Sequence, residues 1–208
     1  MEFENKVVVI TGGAGGIGKC IGEEFSRQGA SVCVIDSAEG THYVGDIGDK
    51  ATLEAFARQV IERYGRVDVL VNNAPPGFRG IDECTYEQFQ RSMAIGITAP
   101  FYLSKLFAPY FAEGASIINI SSSRDRMSQP QSESYTAAKG GIAVGTEKAW
   151  NSLKKANKPT MFYISKMDED HANYFKVVDD LRAQFGNSVV PLVFPMMKGD
   201  KCVGLVDL

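Results

Sequence analysis

Lys6-Val-Val-Val-Ile-Thr-Gly-Gly-Ala-Gly-Gly-Ile-Gly18 runs from an unbroken β-branched stretch into a glycine-rich turn, and that passage decides the fold. A short apolar run bounded by glycines predicts a strand buried on both faces. Beyond it, Ile17, Ile21 and Phe25 recur every four residues, the spacing of one helix face. The segment therefore predicts strand, tight turn, helix. Gly12, Gly16 and Gly18, with Ile17 among them, let the backbone turn sharply and come close to a pyrophosphate, whose charge suits a helix N-terminus. A plain tight turn is the alternative for the same residues.

The pattern repeats along the chain. Ser31–Ile35, Val67–Val71, Ser116–Ile120, Thr160–Ile164 and Val189–Phe194 predict further parallel strands, with a short one at His42–Val44. Pro191 suits an edge strand, because it cannot donate to a ladder. Leu53, Phe56, Ala57, Val60, Ile61 and Tyr64 form the apolar stripe of a second helix. More helices are expected over Tyr86–Ile97, Pro100–Phe111, Ser134–Ala156 and Asp170–Phe185. Strict alternation of strand and helix predicts an α/β fold: a doubly wound, Rossmann-like parallel sheet in three α/β/α layers, with residues 1–208 as a single domain.

Composition narrows the partners. The chain has 208 residues, 44% hydrophobic and 23% charged, with a net charge of -3 and no basic block. Nucleic acid and anionic membranes are therefore not expected partners. No apolar run approaches the roughly 20 residues of a membrane span. The acidic start, Met1-Glu-Phe-Glu-Asn-Lys6, enters a strand at once and is not read as a signal peptide. Cys20, Cys33, Cys84 and Cys202 are scattered, which predicts reduced thiols and a cytoplasmic location. His42 and His171 stand far apart, and no metal site is expected.

A carboxylate and a phenol add chemistry. Asp36 ends the second strand, 18 residues past Gly18. A carboxylate there hydrogen-bonds a ribose 2′-hydroxyl and repels a 2′-phosphate, which favours NAD over NADP; a helix cap is the alternative. Gly13 to Cys20 also reads G-x-x-x-x-G-K-C, but a P-loop needs a hydroxyl where Cys20 stands, and a thiol suits magnesium poorly. Further on, Tyr135 and Lys139 stand four apart in Ser132-Glu-Ser-Tyr-Thr-Ala-Ala-Lys-Gly-Gly141, on one face of a helix. A nearby ammonium favours the phenolate, so the pair points to proton transfer.

Thr11-Gly-x-x-x-Gly-Ile-Gly18, Asp46-Ile47, Asn72-Asn-Ala74 and Ser122…Tyr135-x-x-x-Lys139, in this order, closely resemble the short-chain dehydrogenase/reductase family over residues 1–143. The resemblance implies that Asp46 and Ile47 border the adenine and that Asn72 and Ala74 line the cofactor cleft. It implies Tyr135 as the acid/base and Lys139 as the residue that lowers its pKa and holds the nicotinamide ribose. Ser122 would hydrogen-bond an alcohol or carbonyl substrate. Two departures stand out: Gly96-Ile-Thr-Ala-Pro-Phe101 carries glycine where the family usually has asparagine, and Ala74 is followed by Pro75-Pro76-Gly77. Family members often pair through helices around Tyr135, which leaves the oligomeric state open.

Residues 144–208 read differently. Lys158-Pro-Thr-Met-Phe-Tyr-Ile-Ser-Lys-Met-Asp168 and the stretch from there to Leu208 resemble the G domain of elongation factor G, with Ser165-Lys-Met-Asp168 in place of its guanine-reading Asn-Lys-x-Asp. This resemblance implies an engineered chimera whose GTPase-derived part completes the sheet, without the family's Pro-Gly turn and substrate lid. A divergent natural dehydrogenase is the alternative. Three functions are compatible with these residues: an NAD-dependent oxidoreductase with impaired turnover, a folded chimera without activity, and a guanine-nucleotide binder as the least favoured.

Overall fold

The computed structural model describes residues 1–122, 130–141, 174–185, 193–198 and 201–207. Its centre is a five-stranded parallel sheet in the order β3-β2-β1-β4-β5, built from β1 (Val7–Thr11), β2 (Ser31–Asp36), β3 (Tyr43–Val44), β4 (Val67–Asn72) and β5 (Phe111–Asn119). Every residue of β1 and β4 is buried. That is why their middles are apolar without alternation, with polar residues only near the ends, at Thr11, Asp68 and Asn72: both faces are covered.

The two faces carry separate cores, split by the two-residue period of a strand. On one face Val7, Val9, Cys33, Ile35 and Leu70 pack with Phe56 and Val60 of α2 (Lys50–Tyr64) and Leu103 and Phe107 of α4 (Ala99–Phe107). On the other face Val8, Ile10, Val69 and Val71 meet Ile21 and Phe25 of α1 (Gly16–Arg27). Three layers result, and the doubly wound, Rossmann-like α/β architecture read from the sequence is the one observed.

Local signals set the helix ends. Asp49 caps α2 by accepting the Thr52 amide at 2.9 Å, and Gly65 stops it at φ 66°. Thr85 and Gln88 form a reciprocal capping box on α3 (Tyr86–Met93). The sequence reading expected two helices here, 86–97 and 100–111. Instead α3 continues through a π turn, Ala94–Thr98, straight into α4, with helical dihedrals at Ala94 and Thr98. Pro100 explains the widened turn: it has no N–H to give the Gly96 carbonyl, and the Ala99 amide reaches back to Ala94.

Other boundaries shift as well. A 3-10 turn, Ala108–Tyr110, ends this helical stretch, and β5 begins at Phe111 rather than Ser116, with a bulge opposite Val67 and Val69. The third strand starts at Tyr43, not His42. Residues 133–141 form helix α5, and the expected extension to Ala156 lies outside the described residues, as do the predicted strand at Thr160–Ile164 and Pro191. The last expected helix is observed as α6 (Tyr174–Phe185). The expected parallel strand Val189–Phe194 is corrected: Val193 and Phe194 begin β6 (Val193–Lys198), which pairs antiparallel with β7 (Lys201–Asp207) in a separate two-stranded sheet. The link from Lys198 to Lys201 is hairpin-sized, whereas parallel pairing needs a crossover of about a dozen residues.

No helix among the described residues is long and apolar enough to cross a membrane. No group of three or more metal-ligating side chains occurs among them.

At the foot of the sheet Asp68 ties β1 to β4. It is 5% exposed and accepts the Val7 amide at 2.9 Å, Arg66 Nη2 at 2.6 Å and Lys6 Nζ at 3.3 Å. Burial alone would raise its pKa, but the hydrogen bonds from Arg66, the Val7 amide and Lys6 hold it below the ordinary carboxylate value. A depressed folded pKa contributes stability above the unfolded pKa and loses it as pH falls through the folded value. Asp68→Asn is expected to lower the unfolding free energy at pH 7 by about 1.5–3 kcal/mol. In urea titrations that deficit should shrink on acidification below about pH 4.

Candidate functional site

The strand order changes direction between β1 and β4, so a crevice opens above their C-terminal ends. It is a cleft of about 750 Å³ lined by the glycine turn, the ends of β2 and β4, and Tyr135 and Lys139 of α5.

The glycine turn is locked to β4 from below. Asn73 Nδ2 donates to the Gly12 carbonyl at 2.7 Å and to the Thr11 carbonyl at 3.2 Å, while Thr11 Oγ1 accepts the Asn73 and Ala74 amides, each at 3.1 Å. Gly12 has φ +70°, and a Cβ there would lie 2.6 Å from the Ala74 Cα. A Cβ on Gly18 would lie 2.4 Å from the Gly12 carbonyl oxygen. Both positions admit only glycine. α1 then starts at Gly16 with no side-chain cap on its N-terminus, which leaves its first amides open to an anion.

Asp36 is held on both oxygens: Oδ2 accepts the Ala14 amide at 2.9 Å and Oδ1 the Ala38 amide at 3.0 Å. Its carboxylate is thereby fixed against the glycine turn at the cleft wall. Asp46 and Ile47 line the same wall, with Asp46 Oδ1 accepting the Gly48 amide at 2.9 Å.

At the other end α5 brings Tyr135 and Lys139 beside Ser121 and Ser122, which come after β5. Lys139 is 3% exposed, lies 5.6 Å from the Tyr135 ring centroid, and donates through Nζ to the Ile120 carbonyl at 2.5 Å. Burial lowers its pKa from 10.5 to about 8, so its charge is held against the cost of desolvation. The Pro75-Pro76-Gly77 departure proves to be a strap across this end. The Gly77 carbonyl accepts Ser134 Oγ at 2.9 Å and Ser92 Oγ at 3.2 Å, and the Arg79 amide donates to Ser134 Oγ at 3.0 Å. The strap sets the Phe78 ring 5.7 Å from that of Tyr135. The second departure also has a steric cause. A Cβ on Gly96 would sit 2.7 Å from the Ala138 Cβ, so asparagine does not fit there without moving α5.

Of the residues singled out from the sequence, Gly12, Gly16, Ile17, Asp36, Asp46, Ile47, Ala74, Ser122, Tyr135 and Lys139 all line the cleft. Gly18 and Asn72 stand behind it. Gly18 is buried in the first turn of α1, and Asn72 is 4% exposed with its Nδ2 turned to Asn119 Oδ1 at 2.8 Å. Sequence reasoning missed Asn73, although it is the residue that binds the glycine turn. Its signal was present in the paired asparagines, but the choice between them depends on which one the strand end turns under the loop. Arg91 and Ile95 were also missed, because the helical stretch that starts with α3 brings them to the cleft from far along the chain.

Burial of Lys139 costs stability while its amine is charged. The unfolded chain keeps the proton up to about pH 10.5 while the folded one sheds it near 8, so the strain, on the order of 3 kcal/mol, is present below pH 8 and relieved as pH rises through that window. Lys139→Met is expected to be more stable than the parent at pH 7 by about 1–3 kcal/mol, with the gap closing between pH 8 and 10.5 in denaturant titrations.

Comparison with known proteins agrees with this fold. The family model described as short chain dehydrogenase matches residues 6–158, past the boundary at 143 read from the sequence. An uncharacterized oxidoreductase of Thermotoga maritima is 34% identical over 172 residues, covering 74% of this chain and 67% of that protein. Other curated relatives are matched over 62% and 59% of their length, so the chain spans about three fifths to two thirds of them. Among solved structures, an apo SCOR enzyme from Clostridium thermocellum superposes with TM-score 0.68 at 36% identity, over 77% of this chain and 70% of that one. A short chain dehydrogenase from Burkholderia cenocepacia J2315 in complex with NADP shares the fold, with TM-score 0.69 at 23% identity over 88% of this chain and 83% of that one. The comparisons lend no support to an elongation factor G segment, and Ser165-Lys-Met-Asp168 lies outside the described residues. The family model matches well over half of the chain, and a relative at 34% identity is covered to two thirds of its length; the chain belongs to the short chain dehydrogenase family.

Proposed function

We propose that the chain binds NAD in this cleft and belongs to an oxidoreductase that interconverts alcohols and carbonyl compounds. The observation that carries the reading is convergence: Ser122, Tyr135 and Lys139 line the same cleft as the glycine turn and Asp36. The residues present fit a dinucleotide. Gly12 and Gly16, with the open amides of α1, would hold the pyrophosphate, and Ile17 would flank it. Asp36 would take the adenosine ribose hydroxyls, Asp46 and Ile47 the base, and Ala74 the ribose side of the cleft. Asn72 and Gly18 would support these residues from behind. The bound dinucleotide supplies the hydride acceptor or donor.

The chain's own residues handle the oxygen. Ser122 would hold the substrate oxygen by a hydrogen bond. In oxidation the alcohol O–H proton passes to the Tyr135 oxygen as the C–H bond gives up its hydride, and in reduction the proton returns. Lys139 places an ammonium against the Tyr135 ring and would also reach the nicotinamide ribose. Phe78 and the 75–80 strap would cover the ring of Tyr135 and keep water from it.

Asp36 supports NAD over NADP, because a 2′-phosphate would meet a carboxylate pinned by two amides. Calorimetry should show NADH binding more tightly than NADPH, with the ratio falling at least about tenfold in Asp36→Ala; equal affinities in the parent would overturn the preference. In Tyr135→Phe, NADH binding should persist while alcohol oxidation falls by about 10²–10⁴. Turnover that survives this change would remove Tyr135 from its role.

The family model ends at residue 158. We keep as a proposal that the G-domain-derived part of a single 1–208 unit, read as 144–208 from the sequence, begins only past residue 158, where the family match ends, and comes at the cost of turnover. NADH binding without oxidation of any primary or secondary alcohol would support it, and brisk oxidation would exclude it. Binding of GDP lost in Asp168→Ala would favour the guanine-nucleotide alternative instead.

A further inference from the structure

The stretch that leads from β4 into the strap has little left to give a polar ligand. The Ala74 amide is spent on Thr11 Oγ1 at 3.1 Å, and Pro75 and Pro76 have no N–H at all. The Gly77 carbonyl already accepts Ser134 Oγ at 2.9 Å and Ser92 Oγ at 3.2 Å, and the Arg79 amide goes to Ser134 Oγ at 3.0 Å. The two buried hydroxyls on this side are thus consumed as well. Further along, the Ile81 amide donates to Glu133 Oε2 at 3.1 Å and Gln131 Nε2 donates to Asp82 Oδ2 at 2.8 Å, so the strap is fastened on both sides of Phe78. Pro75 lines the cleft, and Phe78, three residues on, stands at its Tyr135 end with 48% of its surface exposed. The Phe78 and Tyr135 rings lie 5.7 Å apart and are tilted by 49°. They make a wedge rather than a stack, an arrangement against which a third ring packs well.

We propose that the wall from Pro75 to Phe78 is an apolar subsite for the substrate, and that Phe78 is a specificity-determining residue. The substrate class is then an alcohol or carbonyl compound with a flat apolar ring beside the reacting carbon, not a polyol or a sugar. The inference rests on the alcohol–carbonyl reading of this cleft and names the class of compound it takes. A substituent placed against this wall loses its water. A hydrocarbon ring gains by that loss and packs on Phe78. A chain of hydroxyl groups loses hydration at each oxygen and meets prolines and amides already in use. An apolar wall discriminates only modestly against one added hydroxyl, but each further unpaired one multiplies the penalty.

The test is calorimetric titration of 1-phenylethanol and of sorbitol into the full chain saturated with NADH. Alcohol and cofactor are both reduced in these complexes, so binding is read without turnover. The parent should bind 1-phenylethanol at least about tenfold more tightly than sorbitol. Phe78→Ala should weaken 1-phenylethanol by about tenfold while NADH affinity stays within about twofold, and Phe78→Tyr, which keeps the ring face, should restore the parent's affinity. Equal weakening of NADH and 1-phenylethanol in Phe78→Ala would show that Phe78 merely props Tyr135, and would overturn the proposal. A parent that prefers sorbitol, or a variant with unchanged affinity for 1-phenylethanol, would overturn it as well. A parent that binds NADH but neither alcohol removes the apolar subsite and leaves the dinucleotide reading standing. A parent that binds no NADH removes both.

Discussion

Parallel pairing of β1 with β4, both buried on every face, is the constraint on which the remaining architecture depends. A strand covered on both sides can show polar chemistry only where it ends. Thr11, Asn72 and the adjoining Asn73 are therefore gathered at one edge of the sheet, and the glycine turn must leave β1 over that edge. The Asn73 bonds to the Thr11 and Gly12 carbonyls close the gap between two neighbouring strand ends. With that gap closed, the first turn of α1 faces the crevice, and Asp36 from the next strand reaches the loop through the Ala14 amide. Asp68 does the corresponding task at the opposite edge, where the Val7 amide and two cations meet one carboxylate.

Much of this was legible in the sequence because it is local. Apolar runs, four-residue stripes and a glycine turn report short-range geometry, and they placed β1, β2, β4, α1 and α2 well. The errors share one cause: they arose where a distant partner or a missing donor decides the local structure. Pro100 reads as a helix start, but the preceding helix carries on through it by widening one turn. Val193 and Phe194 read as a buried parallel strand because β-branched and aromatic residues look alike in either pairing, while the short link to Lys201 selects a hairpin. Of the site, the glycine turn, Asp36 and the Tyr135–Lys139 spacing were readable. The strap over Tyr135 and the approach of Arg91 to the cleft were not, since each joins residues that no window of sequence contains.

The Tyr135–Lys139 end of the cleft is costly to maintain. Lys139 is buried with a carbonyl for company, and its ammonium is destabilised enough to lower its pKa to about 8. The sheet and α5 tolerate this because two buried serines, Ser92 and Ser134, tie α3 and α5 to the same Gly77 carbonyl. Close approach of Gly96 to Ala138 brings the π turn against the same helix. Helix α5 is thus held in place by contacts that do not involve Tyr135 or Lys139, which leaves both residues to line the cleft.

The strap also couples motions that are separate in the sequence. Ser134 accepts the Arg79 amide with its hydroxyl and gives its own amide to the Arg79 carbonyl at 3.2 Å, while its hydroxyl hydrogen goes to Gly77. Residues 77–79 therefore cannot lift away unless the start of α5 comes with them. Hydrogen exchange at the Arg79 amide becomes a gauge of α5 itself: a loop more than fifty residues upstream opens with the helix, as one cooperative unit.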